Sequence, residues 1–133
     1  MRFYLDSNVF IYAALNQEDV GDRARSLLRE VQEGRQRAST SALTFDELIW
    51  AVKKHRNLEE AVIAGEAFLG LSGLDLVQVS GDTLAVALEL IRRYRLDPRD
   101  SIHAASALLE KAEVIISTDE HFDKVKELKR NTI

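Results

Sequence analysis

The 133-residue chain is 46% hydrophobic and 30% charged, has no cysteine, and carries a formal net charge of -4 from 18 basic and 22 acidic side chains. This is the composition of a globular protein rather than a disordered one, the missing cysteines exclude disulfides and thiolate metal sites, and no apolar run approaches the roughly 18 residues of a membrane span. The length suits one domain, residues 1–133, with one core.

The chain opens Met1-Arg2-Phe3-Tyr4-Leu5 and meets a charge at Asp6, before any stretch long enough for a secretory signal, so a cytoplasmic protein is expected. Arg2 to Leu5 reads as a short strand ending at Asp6, and Asn8 to Leu15 as a helix. A second helix is expected from Asp22 to Glu33, stopped by Gly34. Arg37 to Thr40 is a short strand candidate and Ala42 to His55 a helix. Asn57, with Glu60 three residues on, opens a helix that runs to Leu69 before Gly70. Leu74 to Val79 alternates weakly, as a strand does. Ser80 caps a helix to Tyr94 whose apolar stripe is Leu84, Ala87, Leu88 and Ile91.

Asp97-Pro98 has the form of an N-cap and first helical residue, and the helix it opens carries Ile102, Ala105, Leu108 and Leu109. Val114-Ile115-Ile116 is a continuous apolar strand of the kind buried on both faces. A short helix from Glu120 to Leu128 and a strand near Thr132 complete the series. Strands separated by helices require crossover connections, hence an α/β fold with a mainly parallel central sheet and helices on both faces.

In such sheets ligands sit beyond the carboxyl ends of the strands. Asp6 directly follows the first strand, and Asp119 follows Val114 to Ile116 by way of Ser117 and Thr118. Asp100 lies in the first turn after Pro98, and Glu47 in the first turn or so after Thr40-Ser41. Helix N-termini usually face the same edge as strand C-termini, so all four acids can converge there. Clustered carboxylates repel, and a hard divalent cation removes that penalty. Oxygen ligands favour Mg²⁺ or Mn²⁺ over zinc. One or two such ions would support metal-assisted hydrolysis of a phosphodiester.

Each acid also has a purely structural explanation. Asp6 can end a strand, and Asp119 can cap the last helix. Asp100 suits a helix dipole. Thr44 and Glu47 form a T-x-x-E capping box, which weighs equally with metal ligation for Glu47 taken alone. The acidic net charge speaks against nucleic acid, although gathering four acids at one metal site would leave the remaining basic and acidic side chains in balance.

Four blocks carry a family resemblance: Tyr4-Leu5-Asp6-Ser7-Asn8-Val9, Ser41 to Leu48, Asp100-Ser101-Ile102-His103-Ala104-Ala105, and Ser117-Thr118-Asp119-Glu120-His121-Phe122. In order and spacing they resemble the PIN-domain nucleases, particularly the stand-alone VapC-type toxins of prokaryotic toxin–antitoxin pairs. Ser101 replaces the usual alanine and Ser117 the usual threonine. The resemblance implies a PIN-like three-layer sandwich and a Mg²⁺- or Mn²⁺-dependent endoribonuclease acting on RNA. It also implies a homodimer and an antitoxin that covers the site. By position Asp6, Glu47, Asp100 and Asp119 match the family's acidic quartet, while Asn8 and Ser117 match polar residues that orient ligands or water.

Arg92, Arg93, Arg95 and Arg99 precede Asp100, and Lys53, Lys54, His55 and Arg56 end the Glu47 helix. Either run could hold RNA phosphates, but helix ends attract cations without RNA. Arg99, next to a proposed ligand, is the favoured RNA contact. His103, one turn beyond Asp100, could face the site. His121 is expected on the helix surface and Asp123 solvated. Tyr12 is expected in a core or dimer contact and Trp50 in packing.

Three other readings compete with the toxin. A PIN nuclease of RNA processing would lack an antitoxin, and a small upstream gene would discriminate. A catalytically silent PIN-fold binding module is disfavoured by the full quartet. A phosphatase of the haloacid-dehalogenase type needs D-x-D after the first strand, where this chain has Asp6-Ser7-Asn8, and a receiver needs an early aspartate pair.

Overall fold

The computed structural model describes all 133 residues. The elements are β1 (Arg2–Leu5), α1 (Ser7–Leu15), α2 (Asp19–Gln32), β2 (Arg37–Ser41), α3 (Ala42–His55), α4 (Leu58–Leu69), β3 (Leu74–Val77), α5 (Gly81–Tyr94), α6 (Pro98–Leu109), β4 (Val114–Ile116), a 3₁₀ turn (Glu120–Lys124) and β5 (Lys129–Asn131). The strands form one sheet in the order β3-β2-β1-β4-β5, and every pairing is parallel. The expected α/β sandwich is therefore present, with a wholly rather than mainly parallel sheet. No helix is long and apolar enough to cross a membrane.

The two-residue period of the central strands divides the core into two layers. Leu5, Ala38, Val114 and Ile116 pack with α1 to α4, around Val9, Phe10, Leu48 and Phe68. Tyr4 and Ile115 point the other way, into a layer with Ala87, Leu90, Ala104, Ala105 and Phe122. Successive side chains of a strand must face opposite ways, so a three-residue strand such as β4 serves both layers and is buried throughout.

Local chemistry sets the element ends. Helix α2 begins at Asp19 rather than Asp22, because Asn16 Oδ1 accepts the backbone N–H groups of Glu18 and Gly21 and starts the helix early. A Cβ at Gly21 would sit 2.0 Å from the Asn16 carbonyl oxygen, so only glycine fits there. Gly34 follows α2 with φ +76°, the left-handed conformation that ends helices. Asn57 and Ser80 cap α4 and α5, and Ser80 shares a reciprocal capping box with Thr83.

Several expectations are corrected. Helix α5 buries Thr83, Ala87 and Leu90, while Leu84 and Leu88 are exposed. Both stripes have helical spacing, and the side of α5 that meets α6 carries the smaller residues. Helix α6 likewise buries Ser101, Ala104, Ala105 and Ala107 and leaves Leu109 exposed, because small side chains allow close packing. Strand β3 stops at Val77 and does not alternate, since it is an edge strand with Asp75 and Leu76 both exposed. The last helix is a five-residue 3₁₀ turn ending at Lys124. Val125 and Leu128 then enter the core, and β5 starts at Lys129 to pair with β4.

Candidate active site

The register of β1 against β4 pairs Leu5 with Ile116, which brings the residues after both strands side by side. The Asp6 N–H donates to the Ile116 carbonyl at 3.1 Å, and Ser117 Oγ donates to Asp6 Oδ2 at 2.7 Å. The other carboxylate oxygen of Asp6 accepts the Ser7 N–H at 2.8 Å. Ser117 Oγ also accepts the Asp119 N–H at 2.9 Å and Asn8 Nδ2 at 3.2 Å. One buried hydroxyl thus ties Asp6, Asn8 and Asp119 together. Asn8 Nδ2 also donates to Thr118 Oγ1 at 2.9 Å, while Asn8 Oδ1 is buried with no hydrogen-bond partner.

Glu47 sits deeper in α3 than expected, in its second turn. The T-x-x-E reading does not hold. The N-cap of α3 is Ser41, and the Thr44 hydroxyl instead bonds that of Thr40 at 2.7 Å. Glu47 Oε1 lies 2.5 Å from His103 Nε2. That imidazole is fully buried, with Nδ1 2.7 Å from the Tyr4 hydroxyl and Nε2 3.7 Å from Asp6 Oδ1. Tyr4 in turn accepts the Ser41 N–H at 3.1 Å.

Asp100 occupies the first turn of α6, and Asp119 caps the 3₁₀ turn by accepting the His121 N–H. Oxygens of these two acids and a nitrogen of His121 lie within 4.8 Å of one another. His121 Nδ1 is 2.8 Å from Asp119 Oδ1, so this histidine borders the acidic edge rather than only the helix surface.

The electrostatics follow from this crowding. Burial, then the neighbouring charges of Asp119 and Asp6, push the Asp100 carboxyl up to about 6. Burial also raises Asp6, assisted by Glu47 and opposed by His103 and Ser117. For His103 burial alone would favour the neutral ring, but the Glu47 hydrogen bond and the charges of Asp6, Glu47 and Asp100 outweigh it and raise its pKa. No lysine or arginine forms a salt bridge with any of the four acids; only histidines do. A cluster of oxygen donors whose only basic partners are histidines, beside the orphaned Asn8 Oδ1, fits a hard divalent cation.

The surrounding charges divide into paired and unpaired groups. Arg92 pairs with Glu89, and Arg93 with Glu89 and Glu127. Arg99 is exposed and makes no ion pair. Asp123 is not simply solvated, since Arg130 grips both its oxygens and holds its carboxyl below the usual range. Trp50 is not packed in the core. It is 61% exposed, with Lys54 over its ring. Tyr12 packs against the α1–α4 layer.

The sequence leaves the role of Tyr4 unspecified and gives His103 a place near the site but no partner. The available signal was a tyrosine on the strand leading to Asp6, together with a histidine three residues past Asp100, hence on the same helix face.

Comparison with known proteins places these features in a family. Residues 3–128 match the PIN domain. Among solved structures, VapBC2 from Rickettsia felis bound to a promoter DNA fragment is 20% identical, with a TM-score of 0.76 over 99% of this chain and 98% of that one. VapC20 from Mycobacterium tuberculosis, a toxin that cleaves the sarcin-ricin loop, is 14% identical, with a TM-score of 0.76 over 93% and 95% of the two chains. DNA-bound VapBC from Salmonella typhimurium is 22% identical, with a TM-score of 0.72 over 99% and 98%. No curated protein matches at a significant level.

Proposed function

The chain belongs to the PIN domain family, and on that premise we propose that it is a divalent-metal-dependent endoribonuclease, the toxin of a type II toxin–antitoxin pair. The observation that carries this reading is the crowding of acids from distant segments with no lysine or arginine among them: Asp100 beside Asp119 and His121, and Asp6 and Glu47 on either side of His103. Asp100, held at about 6 by burial and by Asp119 and Asp6, records that crowding.

Asp6, Asp100, Asp119 and Glu47 are the residues that would hold Mg²⁺, with Mn²⁺ also accepted. Such an ion would activate water and stabilise the charge that develops on a phosphodiester. The chain's own residues supply the rest. Ser117 fixes the orientation of Asp6, and Asn8 in turn holds the Ser117 hydroxyl, as supporting hydrogen bonds do for ligands generally. Arg99, exposed and unpaired beside Asp100, would hold an RNA phosphate. His121 is available at the rim.

Structural neighbours that are toxin–antitoxin complexes support a protein partner. Such a partner would dock in an open apolar groove of about 390 Å³ between α1, α3 and α4, lined by Phe10, Leu48, Val52, Ile63 and Phe68, with Arg56 and Glu60 as its two polar residues. A homodimer working in the cytoplasm is part of the same proposal.

The test is incubation of the purified chain with a pool of tRNA, rRNA and mRNA. Internal cleavage with Mg²⁺ or Mn²⁺, stopped by EDTA and poorly restored by Zn²⁺, supports the reading. Cleavage that persists in EDTA overturns it. Co-purification with the product of a small adjacent gene separates a toxin from a processing nuclease.

A further inference from the structure

We propose that Tyr4 and His103 form a buried positioning device that aims the Glu47 carboxylate into the acidic site, an inference that rests on the nuclease reading above. Glu47 is the one acid that lies neither at a strand end nor at a helix start. From the second turn of α3 its side chain needs an external partner to hold it at the edge where the other three acids meet.

The hydrogen bonds form one continuous path from the junction of β2 and α3 through β1 and α6 to Glu47. The Ser41 N–H, at the start of α3, donates to the Tyr4 oxygen in β1. Tyr4 is bonded to His103 Nδ1 in α6, and His103 Nε2 is bonded to Glu47, back in α3. An ionised carboxylate only accepts, so Nε2 carries the proton in this contact whichever charge state the ring adopts. With the Ser41 N–H already donated to Tyr4, the phenolic proton is free for Nδ1 of a neutral ring. That fixes the tautomer that donates to Glu47.

Packing argues against a purely space-filling role. The buried face of α6 is otherwise alanine and serine, and His103 is the only buried titratable residue in it. A polar ring buried there costs stability unless both nitrogens are satisfied. Here they are satisfied by a tyrosine 99 residues away in sequence and a glutamate 56 away. Nε2 also lies 3.7 Å from Asp6, so a single N–H stands between two like charges of the site.

The test is a double-mutant cycle on RNA cleavage, together with the ring ¹⁵N shifts of His103 in the metal-free protein. His103→Ala should lower kcat by about 10- to 100-fold, the usual effect of losing a ligand-supporting hydrogen bond. His103→Gln keeps an N–H donor and similar volume and should recover part of that loss. Tyr4→Phe should lower kcat several-fold and change the Nδ1 shift. In a Glu47→Gln background, His103→Gln and Tyr4→Phe should cause little further loss. Equal losses in both backgrounds, or ring shifts showing an unprotonated Nε2, overturn the proposal. Failure of the nuclease reading itself would appear separately, as cleavage retained by Asp6→Asn.

Discussion

The hydroxyl of Ser117 donates to Asp6 Oδ2 at 2.7 Å, bridging 111 residues of sequence. The same oxygen receives the Asp119 N–H and Asn8 Nδ2. Ser117→Ala leaves those donors and one buried carboxylate oxygen without this partner. We expect a stability loss of about 1–3 kcal/mol and a fall in divalent affinity or cleavage of about 10- to 100-fold. Urea denaturation and Mn²⁺ titration of the variant measure both.

The metal-free protein should become less stable as pH rises from about 4 to 6, and further above 6.5. Asp100 holds its proton up to about 6 when folded, against 3.8 as its ordinary value, so the folded state binds more protons than the unfolded state between those limits. Stability is then lost as pH rises through 6. His103, also raised, adds loss of the same sign above its ordinary 6.5. For half-exposed Asp100 the contribution is about 1 kcal/mol after allowing for solvent screening. Asp100→Asn should flatten the profile and raise the Tm of the metal-free chain at pH 8. Saturating Mg²⁺ should reverse the trend, since the ion binds the deprotonated acids. Thermal melts across pH, with EDTA and with Mg²⁺, test this.

Arg99→Ala should raise KM for RNA without changing Mn²⁺ affinity, because its side chain is exposed and pairs with no acid. The dependence of RNA binding on salt should weaken by about one counterion. Arg92 and Arg93, already paired with Glu89 and Glu127, should show smaller effects.

Asp123→Asn should leave Mn²⁺ affinity within about twofold of the original chain. Its two oxygens are held by Arg130, whose Nη1 also donates to the Ser117 carbonyl at 3.0 Å. A large loss of metal binding would place Asp123 among the ligands.

What the sequence revealed and what it hid divide along physical lines. The first strand, the glycine stops and the caps at Asn57 and Ser80 depend on neighbouring residues, and these were legible, whereas β3 and β5 end where pairing with β2 and β4 dictates. The parallel direction of the strands followed from their alternation with helices, whereas the strand order did not. The face of α5 was not legible, because Leu84-Ala87-Leu88 and Thr83-Ala87-Leu90 both have helical spacing and only contact with α6 chooses between them. The end of the last helix is hidden because Val125 and Leu128 have helical spacing, yet both enter the core after the 3₁₀ turn ends at Lys124. At the site, Asp6 and Asp119 could be placed by topology alone. Glu47 was ambiguous because the T-x-x-E spacing is a local pattern that the structure does not use, whereas its actual partner, His103, arrives from another helix.

The most direct test is single-turnover cleavage of RNA in Mn²⁺ by the unaltered chain and by Asp6→Asn, with circular dichroism to show that both are folded. Removing this charge should slow cleavage by about 10²-fold or more, the scale of several kcal/mol of metal-assisted stabilisation. A folded Asp6→Asn variant that cleaves at the original rate would contradict the assignment of the acidic edge as the catalytic metal site.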